Sequence, residues 1–340
     1  MAGEVTSANL PSISIITPSF NQGRFLEECI DSVLSQNYPK LEYIIMDGGS
    51  TDGSVEIIRK YEKYLTYWQS QPDGGQYAAI QAGFERSNGE IMAWLNSDDK
   101  YHANAFFLAS YVFSCNPEIE WLTGRHTNWD KDGQIIDINP SLQKYSRDQL
   151  MKMRNNVTWM QQESTFWRRS LWERAGAYIR SDLHYAGDYD LWLRFSRYVR
   201  VYSVNALLGG YRIHEEQKAQ AKDKYLEEVE TVYREELSVV ASEGIRSISS
   251  AVTPLEIDCS ALRSFYQEML PAGQRLNFSS HQAFAYLQKE RNSIGILASR
   301  LRVKLDELSK GKITVKRFTK GLFRRLTAPL KKLFNLLGSL

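Results

Sequence analysis

Two adjacent carboxylates, Asp98 and Asp99, follow the short apolar run Ile91-Met92-Ala93-Trp94-Leu95 and are preceded by Asn96 and Ser97. If that run is a strand of an open α/β sheet, the carboxylates fall at its carboxyl end, where such sheets hold their ligands. Hard oxygen donors placed there can hold a divalent cation and, through it, a phosphate. The structural alternative is a strand that ends in a polar turn, for which Asn, Ser and Asp are all suited. A second loop, Asp47-Gly48-Gly49-Ser50-Thr51-Asp52-Gly53, ends the apolar run of residues 41–46. Its glycines let backbone approach a ligand, and an acid at a strand end can accept from a nucleobase or a ribose hydroxyl. The alternative is a tight turn with Ser50, Thr51 or Asp52 capping the next helix. An equivalent turn, Thr17-Pro18-Ser19-Phe20-Asn21, follows residues 12–16.

These loops need a scaffold, and the hydrophobic pattern supplies one. Residues 12–16, 41–46, 66–68 and 91–95 read as strands. Between them, residues 25–36, 55–61 and 77–86 carry apolar positions at helical spacing. Strands alternating with helices imply βαβ units and a mostly parallel sheet flanked by helices. Beyond Asp99 the pattern loosens: residues 106–113 and 189–198 read as helices, 121–123 and 200–204 as strands, and Asp130-Lys131-Asp132-Gly133 as a turn. After residue 215 the composition changes to long charged helical segments, 225–241 and 282–308, which places a boundary near 215–222.

Composition narrows the class. The 340 residues are 43% hydrophobic and 24% charged, an ordinary globular balance. No run approaches the roughly 20 apolar residues of a membrane-spanning helix. Residues 1–11 lack a basic stretch followed by an apolar one, so no signal peptide is expected. Cys29, Cys115 and Cys259 are too few and too scattered for a disulfide framework or a zinc site, which suits a reducing cytoplasm. The net charge of +2 hides an asymmetry: residues 300–340 hold twelve lysines and arginines against two carboxylates, a balance of +10, which leaves −8 for residues 1–299. Such segregation implies an anionic partner for the tail.

Six motifs in order resemble family-2 glycosyltransferases, in particular the bacterial O-antigen and exopolysaccharide type. They are Thr17-Pro18-Ser19-Phe20-Asn21, Ser32-Val33-Leu34-Ser35-Gln36, Asp47-Gly48-Gly49-Ser50-Thr51-Asp52-Gly53, Asp73-Gly74-Gly75-Gln76, Asn96-Ser97-Asp98-Asp99 and Gly187-Asp188-Tyr189-Asp190-Leu191-Trp192-Leu193-Arg194. The resemblance covers residues 12–215. It implies a glycosyltransferase-A (GT-A) fold with a nucleotide half at residues 12–99 and an acceptor half at 100–218. A helical region at 219–311 and a basic amphipathic tail at 312–340 would follow. Thr17, Ser19, Asp47, Asp73, Gln76 and Ser97 would then line the nucleotide pocket, with Asp47 at the base. Asn96 stands where the family's D-x-D element begins, so the metal duty falls on Asp98 and Asp99. Mn²⁺ or Mg²⁺ would bridge the donor diphosphate. Asp188 matches the general base, with Asp190 as the alternative two residues on. His214 matches a histidine that approaches the metal or diphosphate, and Arg212 offers a planar fork for phosphate charge. The segment Trp159-Met160-Gln161-Gln162-Glu163-Ser164-Thr165-Phe166-Trp167 would lie near the acceptor, its tryptophans either stacking on sugars or filling the core.

The expected activity is inverting, metal-dependent transfer from a nucleotide-sugar, UDP first, to a hydroxyl of a lipid-linked or growing cell-surface glycan. In the tail, Val315, Phe318, Leu322, Leu326, Leu330, Leu333 and Leu337 recur at spacings of three and four among lysines and arginines. That is a basic amphipathic helix, interrupted near Pro329, suited to an anionic membrane surface. Its alternative is packing on protein, and homo-oligomerisation stays open. Together these features predict a cytoplasmic protein held peripherally at the inner face of the cell membrane. The apolar face is too continuous for a nucleic-acid arm. Nucleotidyl transfer would need a basic glycine-rich phosphate loop, and residues 17–23 contain no lysine. The alternative from another class is a non-catalytic sugar-nucleotide-binding or scaffolding protein.

Overall fold

The computed structural model describes residues 10–139, 142–152, 159–215, 217–218 and 221–243. The expected helix at 282–308, the tail at 312–340 and Cys259 lie outside the described residues. Four strands and three helices alternate first: β1 (Ile13–Ser19), α1 (Gly23–Leu34), β2 (Leu41–Asp47), α2 (Ser54–Tyr61), β3 (Tyr67–Ser70), α3 (Gln76–Phe84) and β4 (Ile91–Trp94). β5 (Lys100–Tyr101), α4 (Ala105–Cys115), β6 (Trp121–Thr123), β7 (Thr127–Trp129), β8 (Ile135–Ile138) and α5 (Arg147–Met151) follow. β9 (Thr165–Arg168), α6 (Arg169–Arg174), α7 (Gly187–Phe195), β10 (Tyr202–Ser203), β11 (Gly209–Arg212) and α8 (Lys222–Glu243) complete the order.

The main sheet has seven strands in the order β10-β6-β9-β4-β1-β2-β3. β1 pairs in parallel with β2 and β4, and β2 with β3, so their carboxyl ends share one edge. That edge carries Ser19, Asp47, Ser70 and the loop after Trp94. β1 is buried along its whole length and β4 likewise, which is why both read as continuous apolar runs rather than alternating ones. β9 runs antiparallel to both β4 and β6 and stitches the two halves of the sheet together. A smaller sheet, β5-β11-β7-β8, stands beside the loop after β4.

The expected elements between residues 12 and 123 are present within a few residues. Three expectations past Asp99 need adjusting: α7 starts at Gly187 and stops at Phe195, β10 keeps only two residues, and Trp167 is a core residue. Trp94, Trp121, Trp167 and Trp192 are fully buried in one cluster. Trp192 lies nearly parallel to Trp94 (centroids 6.0 Å apart) and to Trp121 (5.4 Å). Trp167 meets Trp94 edge-on at 5.5 Å. Aromatic burial of this size is worth several kcal/mol per ring, on the order of 3–5 for truncation to alanine. It fixes α7 against the sheet, and Asp188 sits one turn before Trp192 on the same face.

Candidate active site

The loop after β4 turns on itself, with the Asp99 N–H donating to the Asn96 carbonyl at 3.0 Å. Its two carboxylates part company there. Asp99 points inward and is buried, with Oδ1 accepting from the Arg212 backbone N–H (2.7 Å) and Oδ2 from the Asn96 amide (3.2 Å). Asp98 is half-buried, its Oδ2 lies 3.0 Å from His214 Nε2, and its Oδ1 has no hydrogen-bond partner among the described residues. Ser97, just ahead of them, is buried. His214 is held against the Phe25 ring at 4.6 Å.

Arg212 differs from the expectation of a phosphate fork. It is 1% exposed, its Nε donates to the Asp98 carbonyl at 2.5 Å, and its Nη2 pairs with the Glu28 carboxylate at 2.6 Å. A guanidinium with its donors spent inside the protein braces the carboxylate loop rather than facing a ligand. Glu28 also binds Lys100, which in turn donates to the Gly133 carbonyl (2.8 Å), so α1, β5 and the β7–β8 turn are tied to the same brace.

On the nucleotide side the expected residues separate into supports and lining. Thr17 is fully buried and shares a hydrogen bond with the Tyr43 hydroxyl at 3.2 Å, so it sits beneath the cleft instead of lining it. Asp47 is also buried: it accepts from the Gly49 and Ser50 amides (3.1 and 2.9 Å), the Ser50 hydroxyl (2.5 Å) and the Ser70 hydroxyl (2.6 Å). Four donors from its own loop and β3 make Asp47 the clasp of the glycine loop. Of the three capping candidates none takes the cap position of α2, which is Gly53; Asp52, just before it, accepts from the Ser54 N–H and hydroxyl. The surface is left to three residues. Ser19 Oγ is buried without a hydrogen-bond partner among the described residues, an unmet polar group at the strand end. Asp73 is exposed and holds the Gly75 amide at 2.7 Å. Phe20, given no role from sequence, is 61% exposed. Gly48 lies between these two: a Cβ there would stand 3.2 Å from the Asp73 carboxylate and 3.3 Å from the Phe20 ring. Gln76 donates to the Asn96 side chain (2.7 Å) and accepts from Lys218 (3.1 Å), linking the nucleotide and acceptor sides.

The acceptor side centres on Asp188. Asp190 is committed to an ion pair with Arg194 at 2.8 Å, while Asp188 accepts the neighbouring Tyr189 amide (2.8 Å) and has no ion pair among the described residues. Burial, with the negative charge of Glu228 adding to it, raises the Asp188 carboxyl to about 6. Between Asp188 and the β4 loop stands Glu163, which sequence reasoning placed only loosely near the acceptor. Its Oε1 lies 3.5 Å from the Asn96 amide. Burial, and behind it the charges of Asp188 and Asp98, lift its carboxyl to about 7. Burial and the Glu163 charge likewise raise Asp99 well above the usual carboxylate range. Asp98 and Asp188 thus both act on Glu163, and Glu163 and Asp98 both act on Asp99. Of the neighbouring residues, Gln161 and Gln162 are occupied by Thr127 backbone and the Trp94 carbonyl, and Trp159 is the exposed one, edge-on to Tyr225 at 4.2 Å.

Crowding acids in a dry cleft costs stability, and this gives an expected result. Glu163→Gln should stabilise the cation-free protein by on the order of 1–3 kcal/mol at pH 8 and by nothing measurable at pH 4. The sign follows from the raised carboxyl: folding tolerates its protonated form, so the native state loses stability as pH rises from the ordinary glutamate range through about 7. Thermal melts in a chelator at the two pH values check it; equal shifts at both would refute the crowding.

Among the described residues no group of three or more His, Cys, Asp or Glu is arranged to hold a metal ion by itself. The donor set still fits a hard cation of the Mg²⁺ or Mn²⁺ kind. Such ions take one or two carboxylates and complete their shell with substrate phosphate oxygens and water. Asp98 offers the open oxygen, His214 stands next to it, and Asp99 is turned away as a buttress.

Known proteins share part of the sequence and the fold. Residues 14–173 match the profile of Glycosyl transferase family 2. An uncharacterized glycosyltransferase of Rickettsia typhi is 29% identical over 227 residues, covering 66% of this chain and 70% of that protein. A putative teichuronic acid biosynthesis glycosyltransferase, TuaG of Bacillus subtilis, is 38% identical over 96 residues, or 27% of this chain and 37% of TuaG. In fold the chain is similar to TarS of S. aureus (TM-score 0.51, 15% identity), over 76% of this chain and 43% of TarS. An N-terminal portion of TarS solved with UDP-GlcNAc is similar at TM-score 0.53 and 14% identity, over 76% and 71% of the two chains. The architecture is thus the GT-A fold expected from the motifs, and residues 14–173 are similar to glycosyl transferase family 2.

Proposed function

We propose that the protein transfers a sugar, with inversion, from a nucleotide-diphosphate sugar to a hydroxyl of a glycan or lipid-linked acceptor. The observation that carries this reading is one group of acids: Asp98, with its open oxygen, and Asp188 both lie near enough to Glu163 for their charges to raise its carboxyl. Phe20 presents a flat face for a nucleobase, with Ser19 and Asp73 beside it to meet polar edges. Asp98, next to His214, would hold Mn²⁺ or Mg²⁺ against the donor diphosphate. When bound, such a cation neutralises charge that grows on the leaving diphosphate. Arg212, Glu28 and Asp99 keep Asp98 in place; Thr17 and Asp47 do the same for the glycine loop. Asp188 takes the acceptor hydroxyl's proton as that oxygen attacks the anomeric carbon, while the diphosphate leaves from the opposite face. A carboxyl raised to about 6 is ionised at neutral pH yet basic enough for that task.

Because TarS was solved with UDP-GlcNAc, UDP-sugars come first in the test. The purified chain is screened with Mn²⁺ against UDP-, GDP- and dTDP-sugars, reading thermal shift and nucleotide release with simple sugar acceptors. A donor-selective shift with turnover supports transfer. Donor binding without any turnover favours the non-catalytic reading, and no shift with any donor rejects both.

For location, no helix of the described residues is long and apolar enough to cross a membrane. The proposal of a peripheral site at the inner membrane face rests on the basic amphipathic pattern of residues 312–340. Deleting that segment should release most of the protein from anionic vesicles, at roughly 1 kcal/mol per lost cation. Unchanged vesicle co-sedimentation would reassign the tail to protein packing.

A further inference from the structure

We propose that Glu228, on α8, is a positioning residue for Asp188, and that its carboxylate anchors the turn carrying the base. The proposal rests on the role given to Asp188 above. The turn at residues 184–186 runs directly into α7, and three successive amides of it donate to one side chain. The His184 N–H reaches Glu228 Oε1 at 2.9 Å, and the Tyr185 and Ala186 N–H groups reach Oε2 at 2.8 Å each. Ala186, at the cap position of α7, has no side chain able to cap, so a carboxylate from another helix meets the donors around the helix start. Negative charge there also suits the positive end of the α7 dipole.

A second tie holds the same turn from the other side. The Tyr77 hydroxyl of α3 donates to the Tyr185 carbonyl at 2.9 Å. Gly187 packs on the Tyr77 ring, where an added Cβ would come within 2.8 Å. The turn is thereby gripped between α3 and α8. Asp188 is the second residue of α7, so with Trp192 locked into the tryptophan cluster, this grip sets how far the Asp188 carboxylate reaches. α8 is itself secured, because Glu236 pairs with the buried Arg147 and with Arg197. All of α8 lies beyond the span that matches the family profile. The base, its turn and the helix that anchors them all lie outside that match, which ends at residue 173.

The charges that shift Asp188 are Glu228 of α8, which raises it, and Lys218 ahead of that helix, which lowers it; Asp188 in turn raises the neighbouring Tyr225 of α8, Tyr77 of α3 and Glu163 next to β9. Glu228 contributes negative charge and Lys218 positive. Removing the Glu228 charge while keeping its shape separates holding the turn from filling space.

The test uses the full chain carrying Glu228→Gln, with Tyr77→Phe as a second arm that cuts the opposing tie. Amide hydrogen exchange is followed at residues 184–186, Mn²⁺-UDP binding by thermal shift, and turnover of UDP-GlcNAc across pH. In Glu228→Gln, amides 184–186 should exchange faster while UDP binding and donor KM hold. kcat should fall by about ten- to a hundredfold, and the acid limb of the pH–rate curve should move to lower pH. Tyr77→Phe should loosen the same amides without moving that limb. Unchanged exchange at 184–186 overturns the anchor, and faster exchange with unaltered kcat and pH profile overturns the positioning role. Should the wild-type chain turn over no donor, the transfer reading fails on its own, while the exchange result still decides whether Glu228 holds the turn.

Discussion

Asp98→Asn should abolish Mn²⁺-dependent UDP binding and lower sugar transfer by on the order of a thousandfold, about 4 kcal/mol of transition-state stabilisation. The substitution keeps the size of the side chain and its approach to His214 Nε2. It removes the one charged oxygen of the β4 loop that faces the cleft without a protein partner. Asp98 is half-buried and contributes little packing, so the melting temperature without ligand should shift by the equivalent of less than about 1 kcal/mol. Isothermal titration of UDP with and without Mn²⁺, alongside a turnover assay, checks both statements. Retained metal-dependent binding would move the cation to other residues. Asp99, the other half of the sequence pair, belongs to a different experiment. Its oxygens receive the Arg212 backbone amide and the Asn96 side chain, so replacing it disturbs the loop itself.

Asp188→Asn should separate binding from turnover. Donor and Mn²⁺-UDP binding should stay within a factor of two, because Asp188 belongs to α7 and not to the β1–β4 edge. Transfer should fall by roughly 10²–10⁴, the range expected for losing a positioned general base. In the unaltered enzyme kcat/KM should rise with pH through about 6 and level off above it, since only the ionised carboxylate accepts a proton and burial has raised it that far. The variant should lose that limb. Near-normal turnover in Asp188→Asn, with an acid limb that persists nearer pH 7, would transfer the role to Glu163, and a flat acid limb in the wild type would reject either carboxylate as the base.

Much of the nucleotide half was legible because its strands are buried along their length and its helices alternate with them in the chain. Residues 13–19 and 91–94 announce themselves as apolar runs. The second half was harder for a physical reason. β5, β7, β9 and β11 have two to four residues each, and they gain stability from partners far along the chain, not from a pattern of their own. Missing β9 also hid Glu163, whose importance comes from the reversal that drops it between Asp99 and Asp188. The roles of Asp47, Thr17 and Arg212 were misjudged in one direction. A sequence names the residue type at a loop, but it does not say whether the polar atoms turn outward to a ligand or inward to the neighbouring backbone. Arg212 illustrates this best, since its partners Glu28 and Asp98 stand more than a hundred positions away in the chain.

The glycine pair that opens β11 has a practical consequence for anyone who wants to remodel this protein. At position 209 a methyl group would stand 2.0 Å from the Glu163 carbonyl oxygen, and at 210 it would stand 2.3 Å from the Thr127 hydroxyl. Both neighbours are part of the frame, so neither can step aside. Random libraries that admit alanine here will push the strand outward and drag Arg212 and His214 off the acidic loop. Survivors of such a screen should therefore keep these two codons untouched, even when the donor pocket around them has been rewritten for another sugar.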